Sequence, residues 1–262
     1  MQQNLEIEQT TIVIGDIHGN NLWRDIVTRH PHAHFIFLGD YTDPHSGEEL
    51  SAEEVWDNLM RLLSFKQRNR ERVILLIGNH DAQYLFTTTW ITDSYMCTLQ
   101  HKLKDFYSCM KQFLQVAAED SGLLFTHAGV TRPWMDEAEI DASQPLSPVL
   151  NRMTDISDKD RYDQLRAVGA AREGFSKWGG PLWADRSELN KLPEGYLQIV
   201  GHNPTNHIFL RRTSPDSGVV FCDALRSGEY LKIESSAEEH HLSIMNIYTD
   251  TEELLTTVKR KK

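Results

Sequence analysis

Five short apolar runs in this chain each give way to a string built from glycine, aspartate, histidine or asparagine. Ile12-Val13-Ile14 leads into Gly15-Asp16-Ile17-His18-Gly19, Phe35-Ile36-Phe37-Leu38 into Gly39-Asp40-Tyr41-Thr42-Asp43, and Val73-Ile74-Leu75-Leu76-Ile77 into Gly78-Asn79-His80-Asp81. Leu123-Leu124-Phe125 precedes Thr126-His127-Ala128-Gly129, and Ile199-Val200 precedes Gly201-His202-Asn203-Pro204. Short β-branched or aromatic runs closed by turn residues read as buried strands. Metal-ligating side chains therefore stand at the ends of several strands, where a sheet can converge them on one site. The glycines fit tight turns in which the backbone must approach that site closely.

The first 80 residues alternate strand, helix, strand, helix, strand, which implies an α/β core with parallel pairing. A helix is predicted over 21–29. After a Pro/Ser/Gly loop at 44–47, Ser51 reads as an N-cap with Glu54 three residues on, a capping box. Val55, Leu59, Leu62 and Leu63 then form one apolar face at helical spacing. Residues 82–118 read as largely helical, with a stripe of Leu99, Leu103, Phe106, Met110, Phe113 and Leu114. The stretch 131–183 is irregular and rich in Asp, Ser and Pro, with a helix predicted over 162–175, and reads as an insertion over the site. Apolar runs at 197–200, 219–222 and 230–233 are separated by turn residues and read as a meander, followed by a strand at 242–248 and a solvated basic tail at 258–262. With neither internal repeat nor low-complexity segment, the expected organisation is one domain over 1–262, with insertions at about 82–118 and 131–183.

Net charge limits the partners. A formal net charge of −11 argues against nonspecific binding to nucleic acid or an anionic membrane, because both need a basic face. An anionic substrate would need cations at the site to offset that charge. No apolar stretch approaches the ~18 residues of a membrane span, and the N-terminus lacks a basic region followed by an apolar core. A cytoplasmic protein is the expectation. Cys97, Cys109 and Cys222 are widely spaced and form neither a disulfide framework nor a thiolate zinc site; reduced, partly buried thiols are expected.

Two divalent cations about 3.5–4 Å apart require one bridging ligand and terminal ligands on each ion. Asp16 and His18 stand two apart after a strand and can point to the same side of its end. Asp40, closing the second strand, is the natural bridge, and Asn79, His127 and His202 can complete the second ion. Carboxylate, imidazole and amide oxygen together suit manganese, iron or zinc. Manganese is the expected cofactor.

In this order the five strings resemble the signature of calcineurin-like metallophosphoesterases. More narrowly they resemble the phosphoprotein phosphatase branch, which includes serine/threonine phosphatases, the lambda-phage phosphatase and bacterial diadenosine tetraphosphatases. The resemblance runs from about Ile12 to Ile233, and Pro181-Leu182-Trp183-Ala184-Asp185-Arg186 resembles the Leu-Trp segment those enzymes carry before their last metal histidine. It implies an α/β fold, a four-layer αββα sandwich of mixed sheets flanked by helices, with a dinuclear site at one edge. By motif, Asp16, His18 and Asp40 would hold the first cation, and Asp40, Asn79, His127 and His202 the second. His80 matches the general acid and Asp43 the carboxylate that orients it. A carboxylate beside His80 would keep its ring protonated for donation to a leaving alkoxide.

One position departs from the pattern. Where the family continues Gly-Asp-x-x-Asp with an arginine that clamps phosphate, this chain has Pro44, which carries neither charge nor donor. Arg186 falls where the phage-like enzymes place a second phosphate-binding arginine, and Arg132 and Arg226 are other candidates. The resemblance implies a phosphoester hydrolase using a hydroxide activated by two cations, acting on phosphoproteins or a broad range of phosphomonoesters. A dinucleoside polyphosphate hydrolase, with stacking groups such as Trp134 or Trp178, is the alternative. A metal-binding scaffold without activity is the third reading.

Overall fold

The computed structural model describes residues 7–45, 47–86, 91–92, 94–155 and 157–261. The chain begins with β1 (Gln9–Ile14), α1 (Trp23–Arg29), β2 (His34–Phe37), α2 (Ala52–Arg68) and β3 (Val73–Leu76). β1 pairs parallel with β2, and β2 with β3, as the alternating pattern requires. The box at the start of α2 forms, with the Glu54 N–H donating to Ser51 Oγ at 3.2 Å and the Ser51 N–H to Glu54 Oε2 at 2.8 Å.

The apolar runs are continuous because both faces of the strands are covered. Alternate residues point opposite ways. Ile12, Ile14, Phe35 and Phe37 pack with Trp23, Ile26, Leu59 and Leu62 of the helices, whereas Val13, Ile36, Leu38 and Leu76 pack against a second sheet. The first sheet has the order β12-β11-β10-β1-β2-β3-β4, and the second β5-β6-β7-β9-β8.

After α3 (Asn79–Leu85) and α4 (Gln100–Met110) come β4 (Leu114–Gln115), β5 (Ala117–Asp120) and β6 (Leu123–Thr126). The predicted helical stretch therefore ends early. Pairing of Leu114 with Leu75 draws the chain into the first sheet, and β5 then pairs antiparallel with β6 in the second. Residues 131–183 hold α5 (Arg132–Glu137), α6 (Leu146–Arg152) and α7 (Lys159–Leu165), so the helix predicted over 162–175 starts and stops sooner. Trp134, Leu146, Leu150 and Leu165 from these helices bury against Leu124 of β6. The layers run helix, sheet, sheet, helix, the mixed α/β sandwich that the resemblance implies.

The C-terminal third corrects the meander. β7 (Leu197–Val200), β8 (Phe209–Ser214) and β9 (Ser217–Phe221) join the second sheet, where β9 lies parallel to β7. β10 (Glu229–Ser235) crosses to the first sheet and lies antiparallel to β1, and β11 (Glu239–Asn246) and β12 (Thr251–Lys259) extend it. Short apolar runs between turns do not encode which sheet they enter. The basic tail is also partly structured: Lys259 lies opposite Glu239 in β12, and Arg260 donates to the Ser236 carbonyl at 2.8 Å. Among the described residues no helix is long and apolar enough to cross a membrane. All three thiols are free, but Cys97 and Cys109 are exposed and only Cys222 is buried.

Candidate active site

Asp16 and His18 follow β1, Asp40 and Asp43 follow β2, Asn79 and His80 open α3 after β3, His127 follows β6 and His202 follows β7. Both sheets converge on one cleft of about 710 Å³, lined by Asp16, His18, Asp40, Asn79, His80 and His202 among others, with Asp43 and His127 fully buried behind it. The turns carry backbone strain. His18, Asp40, Asp43 and His202 adopt φ of 45°, 52°, 59° and 62°, a left-handed region that non-glycine residues enter only when their surroundings compel it. Gly78 is required for another reason: a Cβ there would overlap the Asp40 carboxylate.

The donor atoms form two groups that share Asp40. One unites His18, Asp40 and His80, the other Asp40, His127 and His202, and within each the ligand atoms lie within 4.8 Å of one another. His18 Nε2 is 3.6 Å from Asp40 Oδ2 and 3.9 Å from Asp16 Oδ2. On the other side, Asn79 Oδ1 is 2.8 Å from both His127 Nε2 and His202 Nδ1, which are 3.2 Å apart. His127 Nδ1 donates to the Leu38 carbonyl at 2.8 Å, so in the neutral ring Nε2 is an acceptor facing other acceptors, although without a cation Asp40 outweighs burial and raises the His127 pKa. His18 repeats the device, its Nδ1 donating to the Asp43 carbonyl at 2.7 Å. Converging lone pairs without protons between them are what a cation satisfies, so the donor set fits divalent metals. Burial, reinforced by the neighbouring His80 and His45 rings, lowers the His18 pKa to about 3, the neutral form a ligand needs.

His80, a member of the first group, also faces Asp43. Its Nδ1 lies 3.2 Å from Asp43 Oδ2 and 3.1 Å from Thr92 Oγ1, leaving Nε2 for the cleft. Burial works against the protonated ring, but Asp40 and Asp43 outweigh it and raise its pKa. Asp43 is itself held: Tyr84 donates to Oδ1 at 2.5 Å, the Met96 N–H reaches the same oxygen at 3.2 Å, and Gln83 Nε2 donates to Oδ2.

The arginines fall differently from expectation. Arg186 does not line the cleft; its guanidinium donates to the carbonyls of Asn203 at 3.1 Å and Pro204 at 2.8 Å and lies over the rings of Phe209 and Phe221. Arg132 pairs with Asp136 on the surface, and Arg226 pairs with Glu48 at the cleft rim. The arginine that reaches the cleft is Arg172, held by Asp185 Oδ2 at 2.8 Å and Asn203 Oδ1 at 2.7 Å. It lies in the irregular segment, where no strand-end pattern marks it. Trp134 is buried in the core rather than offered for stacking. Trp183 of the Leu-Trp segment lines the cleft and packs edge-on against the His202 ring at 5.8 Å.

Residues 10–232 match the family model of calcineurin-like phosphoesterases. The chain belongs to that family. In sequence this calcineurin-like chain is 26% identical over 212 residues to a serine/threonine-protein phosphatase 6 catalytic subunit of Drosophila melanogaster, covering 77% of this chain and 59% of that relative. It therefore spans well under two thirds of the relative's length. Its fold is similar to that of a protein serine/threonine phosphatase from Saccharomyces cerevisiae with similarity to human phosphatase PP5. That match has a TM-score of 0.53 and 16% identity, covering 88% of this chain and 74% of that one.

Proposed function

We propose that this calcineurin-like protein is a metal-dependent phosphoester hydrolase that acts on phosphomonoesters, phosphoserine and phosphothreonine in proteins foremost. The observation that carries this reading is the pair of donor groups sharing Asp40, the first of which includes His80, the ring held by Asp43. Asp16, His18 and Asp40 would hold one cation, and Asp40, Asn79, His127 and His202 the other, manganese being the expected metal. Bound there, the cations supply Lewis-acid charge to the phosphoryl oxygens and activate water at neutral pH.

The chain's own residues do the rest. Asp43 keeps the proton of His80 Nδ1 in place, so that Nε2 can protonate the leaving oxygen. Arg172, fixed by Asp185 and Asn203, takes the role of the clamp that Pro44 cannot fill, because a guanidinium matches phosphate oxygens in charge and geometry. Arg186, occupied by backbone carbonyls, serves instead to pin the Asn203–Pro204 turn that follows His202.

An open cleft in which Trp183 is already packed on His202 favours a phosphomonoester on an extended chain over a dinucleoside polyphosphate. The test is a panel of phosphopeptides, p-nitrophenyl phosphate and dinucleoside polyphosphates with added Mn²⁺. Turnover of phosphopeptides above dinucleotides is expected; a preference for dinucleotides would move the assignment to that substrate, and turnover of none would overturn the enzymatic reading.

A further inference from the structure

Asp223 follows β9 and lines the same cleft as the proposed ligands, yet none of the five strings contains it. Its position is dictated by a close approach of two strand ends. A Cβ on Gly15 would overlap the Cys222 carbonyl and come within 3.2 Å of the Asp223 Cα, so the absence of a side chain at Gly15 lets the two ends meet. The Asp223 carbonyl accepts the Thr205 N–H at 2.9 Å, which fixes the turn. The Gly15–Asp16 turn and the Asp223 backbone are thereby brought together, and both aspartates line the cleft.

Only 6% of Asp223 is exposed, and its Oδ2 has no hydrogen-bond partner among the described residues. A buried carboxylate oxygen without a donor is costly unless something positive comes to it. Burial and the nearby Asp40 charge work against the ionised form of Asp223, and Asp223 in turn acts against that of Asp16, while His127 and Arg186 act the other way. The proposed ligand sets are also unequal. Asp40, Asn79, His127 and His202 give four donors on one side, whereas Asp16, His18 and Asp40 give three on the other. The unpartnered carboxylate lies on the side with three.

We infer that Asp223 is a positioning residue of the metal centre: it backs Asp16 with a second negative charge and accepts hydrogen bonds from the solvent that completes the shell of the cation held by Asp16, His18 and Asp40. This inference rests on the metal-centre reading above. Carboxylates of this kind behind a first shell change metal affinity by about 10–100-fold when they are removed.

The test is isothermal titration of Mn²⁺ into the metal-free protein, its Asp223→Asn variant and an Asp16→Asn control, with bound metal counted by elemental analysis after dialysis. Asn is close to Asp in volume, removes the charge and replaces one acceptor oxygen by an NH₂ donor. The expected result is a 10–100-fold weaker affinity for one of two Mn²⁺ ions in Asp223→Asn, the other changed less than threefold, with thermal unfolding in EDTA no lower than that of the unmodified chain. A merely structural aspartate would lower the EDTA melting temperature and weaken both ions together. Unchanged affinities for both ions in Asp223→Asn, alongside weakened binding in Asp16→Asn, would overturn the role of Asp223 and leave the metal centre standing. Unchanged affinities in both variants would overturn both.

Discussion

Asp43 Oδ2 and His80 Nδ1 meet at 3.2 Å, with the carboxylate wholly buried and the ring 15% exposed at the cleft. The contact joins the turn after β2 to the first helical turn after β3, so a strand-end pair becomes a proton-holding couple. In the proposed reaction, His80 is the acid of the leaving oxygen. Replacement of His80 by Asn is expected to lower kcat by about 10²–10⁴-fold while the bound-metal count stays unchanged. Steady-state rates on phosphopeptide beside elemental analysis check both halves; an unchanged kcat would remove His80 from the reaction.

The same couple sets a pH response. Asp43 is one of the charges that raise the His80 pKa against the effect of burial. In the proposed reaction His80 acts while protonated, so the alkaline limb of kcat is expected to mark the pH at which it loses its proton. Asp43→Asn removes a stabilising negative charge, the pKa falls, and the limb moves to lower pH. A profile of kcat from pH 5 to pH 10 reads the displacement directly, and a shift to higher pH would contradict the assignment.

Asp40 belongs to both donor groups, 3.6 Å from His18 Nε2 and 3.4 Å from His127 Nε2. In the proposed site, loss of Asp40 is felt on both sides. Asp40→Asn is expected to hold fewer than one metal ion per chain and to lose the stabilisation that metal binding gives. That stabilisation is about 2.7 kcal/mol at a free metal concentration of a hundred times Kd. Thermal unfolding with and without EDTA measures it: the unmodified chain should melt lower in EDTA, and the variant should melt at the same temperature in both.

Much of this arrangement is legible in the sequence because burial on both faces makes a strand a continuous apolar run, and the residue after the run is at its end. Asp16, Asp40, Asn79, His127 and His202 all follow that rule; the structure lines one cleft with four of them and buries His127 behind it, against Asn79 and His202. Asp223 follows it too, after Val219-Val220-Phe221-Cys222, but no glycine or histidine draws attention to it. Gln83 and Tyr84 stand three and four residues after His80, one helical turn on, so their place beside Asp43 is readable once α3 is known. Other features are not local. The sheet that β10 enters depends on pairing with β1, more than 200 residues earlier. Arg172 owes its place to Asp185 and Asn203, which the chain brings together from a segment without periodicity.

Arg172 and Arg186 make a discriminating pair, since one guanidinium lines the cleft and the other is spent on carbonyls. Arg172→Ala is expected to raise KM for phosphopeptide by about 10-fold or more, the loss of a charge-assisted hydrogen bond of about 1.5–3 kcal/mol. Arg186→Ala should leave KM within threefold and instead lower the melting temperature, because the Asn203–Pro204 turn loses its brace. The reverse pattern would restore the sequence expectation for Arg186.

Asp81 supplies the frame on which these groups hang. Fully buried, it accepts the N–H groups of Asp40 at 2.7 Å, Tyr41 at 3.0 Å and Gly78 at 2.9 Å, and the Tyr107 hydroxyl at 2.5 Å. Burial and the nearby Asp40 raise its pKa to about 7, yet the four donors hold it at the junction of two strand-end turns. Alanine there would leave those donors without an acceptor, at about 1–3 kcal/mol for each unsatisfied group. Asp81→Ala is expected to lose at least about 3 kcal/mol in urea unfolding of the metal-free protein. Tyr107→Phe removes one donor while the carboxylate keeps its three backbone partners, and should lose about 1 kcal/mol. Since Asp81 also aims the turn that carries Asp40, its loss should weaken Mn²⁺ binding, whereas Tyr107→Phe should leave Mn²⁺ affinity within threefold. Equal stability losses for the two variants would show that the backbone donors find solvent instead, and that Asp81 does not hold the turn.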